Sequence, residues 1–248
     1  MKKKRMLLIG VYGMELVECG GAMLKNALDG GESHCVILFS GEEMRKGLAV
    51  SAKELQTSVE YADMQSHAIT VSPESIAKLV RVIRKAKPDI IITQDPEHCN
   101  SDLDPGRRVA MTLILESIAL ASRDYPDDSV SDLAAHPIPT IYYHTPVNPD
   151  CLIDISSVWD EKSRAMDALK SQLEYSAEHY QTYYGNEVME TVLPGWTTIE
   201  DKYEKGKLAK REFDKAYYMF HGATGHAHFA FSEAYRRSHL YHFDNLIV

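Results

Sequence analysis

Two polar stretches of the chain carry side chains that could do chemistry. Glu15 follows an apolar run at residues 6–11, and the loop at residues 94–108 contains the other members of this group, which are His98, Asp102, Asp104 and Arg107. Zinc and harder divalent cations are bound by carboxylates and imidazoles. Glu15, His98 and Asp102 are therefore candidate metal ligands. The loop residues also have structural alternatives, because an Asp here could cap the following helix and His98 could be an ordinary exposed histidine.

Proton transfer and substrate binding have their own candidates. General acid or base roles are predicted for Tyr12, Glu15, Asp104 and His144. Arg107 could bind a substrate carboxylate through two parallel hydrogen bonds, although a solvated position at a helix start is the alternative. The predicted substrate-binding residues are Arg45, Arg107, His226 and His228. The last two would face one side of a strand-like segment, an alternation that an ordinary half-buried strand also shows.

Short apolar runs and helical periodicity place these residues on a predicted α/β framework. Strands are predicted at 6–11, 35–39, 67–71, 90–93, 140–144 and 151–155, the last of them short and partly buried. Helices are predicted at 16–28, 52–64, 73–86, 107–122 and 159–180. Strands that alternate with helices favour βαβ units with right-handed crossovers. Ligands bind at the carboxyl ends of parallel strands, so the loops after the first and fourth strands should face one cleft.

Gly20 and Gly21 lie at the start of the first helix. They do not form a dinucleotide-binding fingerprint, because the spaced glycine triplet and the acidic residue that closes the second strand are both missing. We predict instead that these glycines allow close packing around the helix.

The composition narrows the class of protein. A chain of 248 residues with 44% hydrophobic content can bury a full core, either as one large α/β domain or as one domain with an appendage. The net charge of −9 argues against binding to a phosphate backbone, and no stretch is long and apolar enough for a membrane span. Four cysteines without paired spacing fit reduced thiols. We predict a cytoplasmic protein with a small-molecule substrate, without nucleic-acid or membrane partners.

The last quarter of the chain differs from the rest. From residue 184 onward branched aliphatic residues are few, while tyrosines and histidines are frequent. We predict an α/β domain at residues 1–183 and, at residues 184–248, a helical and loop-rich cap that packs on the same domain. The segment 239–248 is apolar and aromatic enough to pack on its own chain or on a neighbour.

Several of these segments together resemble the LmbE/PIG-L superfamily, and within it the 4-oxalomesaconate hydratase branch most of all. They are the first strand with its polar loop and Gly20-Gly21, the Ser-Gly-Glu loop at 40–42, Asp95-Pro96 with Asn100 and Asp102, and the run at 150–162. The resemblance implies a Rossmann-like three-layer sandwich with a mostly parallel sheet. It also implies a zinc-dependent enzyme, and it leaves open a homo-oligomer.

The chain departs from the superfamily's metal motifs at both sites. In the deacetylases a His-Pro-Asp-Asp motif follows the first strand, its His and second Asp binding zinc and its first Asp acting as base. Residues 12–15 here read Tyr-Gly-Met-Glu, so only Glu15 keeps a carboxylate. The second motif, His-Pro-Asp-His, aligns with residues 104–107, where Arg107 replaces the ligand histidine; in an alternative alignment Leu103 replaces it. A cation at this place would repel zinc or replace its charge.

Three functions remain open at the level of sequence. The first is an enzyme that hydrates or hydrolyses a small polar carboxylate, with Glu15 as metal ligand or base and Arg107 as anion-binding residue. The second is a deacetylase-like hydrolase whose metal site is rebuilt from Glu15, His98 and Asp102 or Asp104. The third is a non-catalytic relative that binds a ligand or a partner protein.

Overall fold

One seven-stranded sheet organises the part of the chain that the structure, a computed structural model, describes, which is residues 3–239. The strands are β1 Arg5–Tyr12, β2 Glu32–Phe39, β3 Ser58–Tyr61, β4 Ile90–Gln94, β5 Thr140–His144, β6 Cys151–Asp154 and β7 Ser232–Arg237. Their order is β3-β2-β1-β4-β5-β7-β6. The first five pair in parallel, and β7 runs antiparallel between β5 and β6. The predicted α/β class with a mostly parallel sheet is confirmed.

Helices cover both faces of this sheet. They are α1 Glu15–Glu18, α2 Gly20–Leu28, α3 Glu42–Glu54, α4 Pro73–Ala86, α5 Pro96–Ser101, α6 Pro105–Ala121, α7 Trp159–Asp167, α8 Lys170–Val192 and α9 Lys202–His221. One apolar core lies between the sheet and the helices α1, α2, α3 and α7, and the other lies between the sheet and the helices α4 and α6. Residues of β1 alternate between the two cores, as expected for a strand buried on both faces. The architecture is therefore a Rossmann-like three-layer sandwich.

The residues between β2 and α4 fold differently from the prediction. The helix predicted at 52–64 lies earlier, at Glu42–Glu54, and the strand predicted at 67–71 is absent, since residues 66–68 form a 3₁₀ turn. The strand in this region is Ser58–Tyr61, which pairs only with β2 at the edge of the sheet. Its partly exposed Ser-Val-Glu-Tyr sequence gives little local strand signal, and pairing with β2 decides its conformation.

Two other segments differ in their boundaries. The helix predicted at 159–180 is interrupted at Ala168 and Leu169, so that α7 and α8 are separate helices. Within α8, Gly185 has φ 75° and breaks the helical geometry. The predicted domain boundary between residues 183 and 184 stays a prediction. It lies close to the break at Gly185. The segment after this boundary supplies β7, which belongs to the same sheet.

The predicted start of α4, with Ser72 as cap and Pro73 as first helical residue, is confirmed. The Ser72 hydroxyl accepts a hydrogen bond from the Ser75 amide, and Pro73 is the first helical residue. Within residues 3–239, no helix is long and apolar enough to cross a membrane. Of the apolar segment 239–248, residues 240–248 lie outside the described residues.

Candidate active site

The loops after β1 and β4 meet at Glu15, as the parallel topology predicts. Glu15 is the first residue of α1 and is only 2% exposed. Its carboxylate turns back towards β1 and accepts hydrogen bonds from the amides of Val11, at 2.8 Å, and Tyr12, at 3.2 Å. From the other loop, Nη1 of Arg107 donates to Oε1 of Glu15 at 2.9 Å. Groups from two loops that are distant in sequence thus donate hydrogen bonds to the same buried carboxylate.

His144, the last residue of β5, contacts the same carboxylate. Its Nε2 lies 3.3 Å from Oε2 of Glu15, although the alignment is too poor to count as a hydrogen bond. Its Nδ1 lies 3.0 Å from the hydroxyl of Thr145. Carboxylate, imidazole and hydroxyl therefore follow one another from Glu15 to Thr145, an arrangement that can orient an imidazole for proton transfer.

Glu15 carries a negative charge at neutral pH. Burial acts most strongly on its pKa and raises it, but the neighbouring His144, the guanidinium of Arg107 and the amide of Val11 together outweigh burial. The net result is a pKa below the ordinary glutamate value. A carboxylate held in this way is a weak base and is better suited to orienting its neighbours.

Arg107 joins the two candidate carboxylates of the site. Its Nε lies 3.2 Å from Oδ2 of Asp102, and Nη1 also donates to the side chain of Gln94. Its guanidinium carbon lies 4.8 Å from the centroid of the Tyr12 ring. Burial lowers the pKa of Arg107. The charge of Glu15 and the hydrogen bond to Glu15 raise it by more, so that the pKa of Arg107 lies above its ordinary value. The guanidinium is a permanent cation in the centre of this group.

Asp104 caps a helix, which is the structural alternative considered from the sequence, and it also contacts Tyr12. Its Oδ1 caps α6 by accepting from the Gly106 amide at 2.8 Å, and its Oδ2 accepts from the hydroxyl of Tyr12 at 2.6 Å. Burial, together with the hydrogen bond to Asp104, raises the pKa of Tyr12 to about 12. Tyr12 is therefore a protonated donor at neutral pH.

A cavity of about 340 Å³ opens beside His144 and Thr145. Its wall also contains charged and hydroxyl-bearing side chains, among them Glu18, Lys210, Asp214, Tyr217 and Glu233. No sequence signal singles them out. Lys210, Asp214 and Tyr217 reach the cavity only because α9 packs against the sheet. Lys210 forms an ion pair with Asp214 one helical turn later, and burial raises the pKa of Tyr217 to about 12.

The backbone is strained next to this cavity. Thr145 has φ 47°, a left-handed conformation that is rare for a β-branched residue. Strain of this kind costs on the order of 1–3 kcal/mol and is concentrated at functional sites. The observation supports a functional role for the end of β5.

Three predicted substrate-binding residues lie apart from Glu15. Arg45 donates to Ser40 and Asp63 and stacks on the ring of Tyr61. His226 has φ 61° in a turn after residues 223–225, so the strand-like alternation predicted for it and His228 is wrong. Both histidines are exposed. No contact of these three residues with Glu15, Arg107 or His144 is found among the described residues.

The predicted metal ligands do not fit a metal ion. Glu15 and Asp102 both face the guanidinium of Arg107, and His98 lies 4.0 Å from Asp102 on the outer side of the cluster. Within residues 3–239, no group of three or more His, Cys, Asp or Glu side chains is arranged to hold a metal. No catalytic role is therefore assigned to a metal here.

Gly21 is close to a buried acid from the other end of the chain. Oε1 of Glu233 accepts from the Gly21 amide at 2.7 Å, and Oε2 accepts from the Ala22 amide at 2.9 Å. Lys162 donates to the same carboxylate at 2.7 Å and also to the backbone of Glu18. A Cβ on Gly21 would lie 2.7 Å from Glu233. The close packing predicted for these glycines is confirmed, and it anchors α1 beside the site.

Comparisons with known proteins agree with this fold. No protein-family model matches the chain. A 4-oxalmesaconate hydratase of Pseudomonas putida is 26% identical over 210 residues, which are 73% of this chain and 77% of the relative. The solved GalB, a 4-carboxy-2-hydroxymuconate hydratase of P. putida, covers 98% of this chain and 99% of its own, with a TM-score of 0.64 and 19% identity. An N,N'-diacetylchitobiose deacetylase of Pyrococcus horikoshii gives a TM-score of 0.71 at 19% identity, covering 99% of this chain and 90% of its own.

These relatives indicate the LmbE/PIG-L superfamily. By name, two of them are hydratases and one is a deacetylase, which supports an enzyme of the lyase or hydrolase kind. LmbE/PIG-L proteins are generally metal-dependent, whereas the cluster in this chain is built around Arg107.

Proposed function

We propose that this chain is an enzyme that adds water to, or hydrolyses, a small polar substrate carrying a carboxylate. The observation that carries the proposal is the position of His144, whose ring lies against the ionised Glu15 and borders the 340 Å³ cavity. The names of the relatives support water addition or hydrolysis as the type of reaction.

His144 is the proposed proton-transfer residue. In a hydration, it would take a proton from the attacking water while the oxygen bonds to one carbon of a double bond. Tyr217, whose hydroxyl is protonated at neutral pH and which lies in the cavity wall, would return a proton to the other carbon. Glu15 would act through His144 by holding the imidazole in place, and Thr145 would hold the other ring nitrogen.

Lys210 is the proposed contact for the substrate carboxylate. It borders the cavity and its positive charge is partly neutralised by Asp214. Glu18 and Glu233 add negative charge to the same wall, and Glu233 is paired with Lys162. A cavity with this balance of charges favours a substrate with one carboxylate over one with several, because each further negative charge meets repulsion.

A second candidate function is binding without catalysis. The observation that favours it is that both ring nitrogens of His144 face protein groups, Glu15 and Thr145. In this alternative, the imidazole would orient a bound ligand without taking up a proton. The deacetylase-like hydrolase with a rebuilt metal site has less support, since Arg107 lies between Glu15 and Asp102.

The test compares wild type with His144→Ala and with His228→Ala, a control in which an exposed histidine is removed. Unsaturated monocarboxylates are assayed by loss of ultraviolet absorbance, and N-acyl and ester substrates by product release. We expect turnover by wild type and by His228→Ala, and a loss on the order of 100-fold in His144→Ala. Equal turnover in all three proteins would contradict the role of His144. Saturable binding of a carboxylate without turnover would favour the second candidate.

A further inference from the structure

Arg107 occupies the centre of a group of residues that includes possible metal ligands. Its Nη1 lies 2.9 Å from Glu15 and its Nε lies 3.2 Å from Asp102, so one guanidinium bridges two carboxylates. The side chain is 21% exposed and Glu15 only 2%. A fixed positive charge therefore balances the negative charge of the cluster from within the protein.

An imidazole nitrogen in the same group has no hydrogen-bond partner. Nε2 of His144 is buried, is directed towards Glu15 at 3.3 Å and makes no hydrogen bond among the described residues. Buried polar atoms are nearly always hydrogen-bonded, so an exception calls for an explanation. This nitrogen is a further possible ligand, separate from the carboxylates.

We infer that the guanidinium of Arg107 replaces a metal ion in this cluster, and that its position between the carboxylates of Glu15 and Asp102 keeps them from binding one. The contact atoms are those that a divalent cation would need. A metal lies about 2.0–2.2 Å from a carboxylate oxygen, and a guanidinium nitrogen already occupies the space beside Oε1 of Glu15. A second cation there would also be repelled by Arg107.

Removal of the guanidinium should open the site. In Arg107→Ala, the carboxylates of Glu15 and Asp102 lose their shared cation and face an emptied space. Imidazoles lie next to both, since His144 is 3.3 Å from Glu15 and His98 is 4.0 Å from Asp102. In Arg107→His, the new side chain places an imidazole beside the carboxylates of Glu15 and Asp102. Carboxylates and imidazoles are donors that zinc accepts.

The experiment measures zinc bound at equilibrium, by dialysis followed by elemental analysis, in protein purified without a metal-affinity tag. The proteins are wild type, Arg107→Ala, Arg107→His and Arg108→Ala. The last is the matched control, because it removes an arginine of the same helix that donates to the backbone carbonyl of Asp102. Far-UV circular dichroism verifies the fold of each variant.

We expect no stoichiometric zinc in wild type or Arg108→Ala, and about one zinc per chain in Arg107→His, with binding at least tenfold tighter than to wild type. A further Glu15→Gln substitution should abolish that binding. One zinc per chain in wild type, lost in Glu15→Gln, would overturn the inference even if the Arg107 variants do not fold. Folded Arg107 variants that remain free of zinc would overturn it as well. Neither result depends on turnover, so the proposed enzymatic function is tested separately.

Discussion

Nε2 of His144 lies 3.3 Å from the carboxylate of Glu15, although one residue ends β5 and the other follows β1. β4 separates the two strands in the sheet. The contact therefore depends on the parallel order β1-β4-β5, which brings three carboxyl ends to one edge. Any change that weakens this edge should affect both the fold and the proposed proton transfer.

Glu15→Gln should destabilise the protein by about 3 kcal/mol at pH 7. The variant leaves the Arg107 guanidinium without its nearest charge, and breaking one partner of a buried ion pair has an effect of this size. The new amide group also meets the amides of Val11 and Tyr12, of which it can satisfy only part. Urea unfolding at constant temperature measures the change.

The matched control is Glu97→Gln. Glu97 also pairs with an arginine, at 3.4 Å from Arg236, but its side chain is 57% exposed. Its loss should change the free energy of unfolding by no more than about 0.5 kcal/mol, since exposed pairs contribute little. Equal effects of the two substitutions would mean that Glu15 is not a buried anchor.

The stabilising effect of Glu15 should disappear in acid. Its pKa in the folded protein is below the ordinary value of 4.5, because His144, Arg107 and the Val11 amide outweigh the opposite effect of burial. Its contribution is thus complete above about pH 4.5 and is lost as the pH falls through the folded pKa. The difference in unfolding free energy between wild type and Glu15→Gln should shrink from pH 5 to pH 3. A difference that stays constant over this range would contradict the lowered pKa.

Much of the framework could be predicted from the sequence, because its signals are local. The apolar run of β4 and the Ser72-Pro73 start of α4 indicate their structures without reference to other residues. The position of Glu15 near Arg107 followed from the rule that ligands bind at the carboxyl ends of parallel strands. β3 was missed because its conformation depends on pairing with β2.

The cavity could not be predicted, since it depends on contacts between distant segments. Lys210 and Tyr217 lie on α9, and no periodicity in that helix shows that this face meets β5. Glu233 resembles any other strand residue in the sequence, yet it is the acid that caps α2. Thr145 gave no signal either, because its positive φ is unusual for its residue type.

Gly21→Ala should destabilise the protein by about 1–3 kcal/mol, because the added methyl group overpacks the core. Its Cβ would lie 2.4 Å from Cγ2 of Ile155 and 2.7 Å from Oε1 of Glu233, so the cap on α2 would have to move. Thermal and urea unfolding measure the change. Gly41→Ala is the control, since nothing lies within 4 Å of a Cβ there, and its effect should stay below about 1 kcal/mol. Similar losses at both positions would contradict the packing argument.

Asp95→Asn should cost about 3 kcal/mol, although Asp95 is not part of the proposed chemistry. Asp95 is completely buried and accepts two hydrogen bonds from Arg236, at 3.1 and 2.6 Å, and one from the Val147 amide at 2.9 Å. The charged pair joins the end of β4 to β7. Urea unfolding should show the loss, with Asp63→Asn, an exposed partner of Arg45, as a nearly neutral control. Wild-type stability in Asp95→Asn would contradict this role.

Thr145→Gly should separate stability from activity. Glycine adopts the φ of 47° without strain, so relief of strain offsets the greater freedom of the unfolded chain, and the free energy of unfolding should change by less than about 1 kcal/mol. Turnover should nevertheless fall on the order of tenfold, because Nδ1 of His144 loses the hydroxyl that holds it, whereas Thr145→Ser should keep most of the activity.

Thr140→Gly, at the other end of β5, is the control for stability and should destabilise by roughly 1 kcal/mol. If Thr145→Gly destabilises as much as Thr140→Gly, then the conformation at Thr145 is not strained, and the functional argument from its backbone fails.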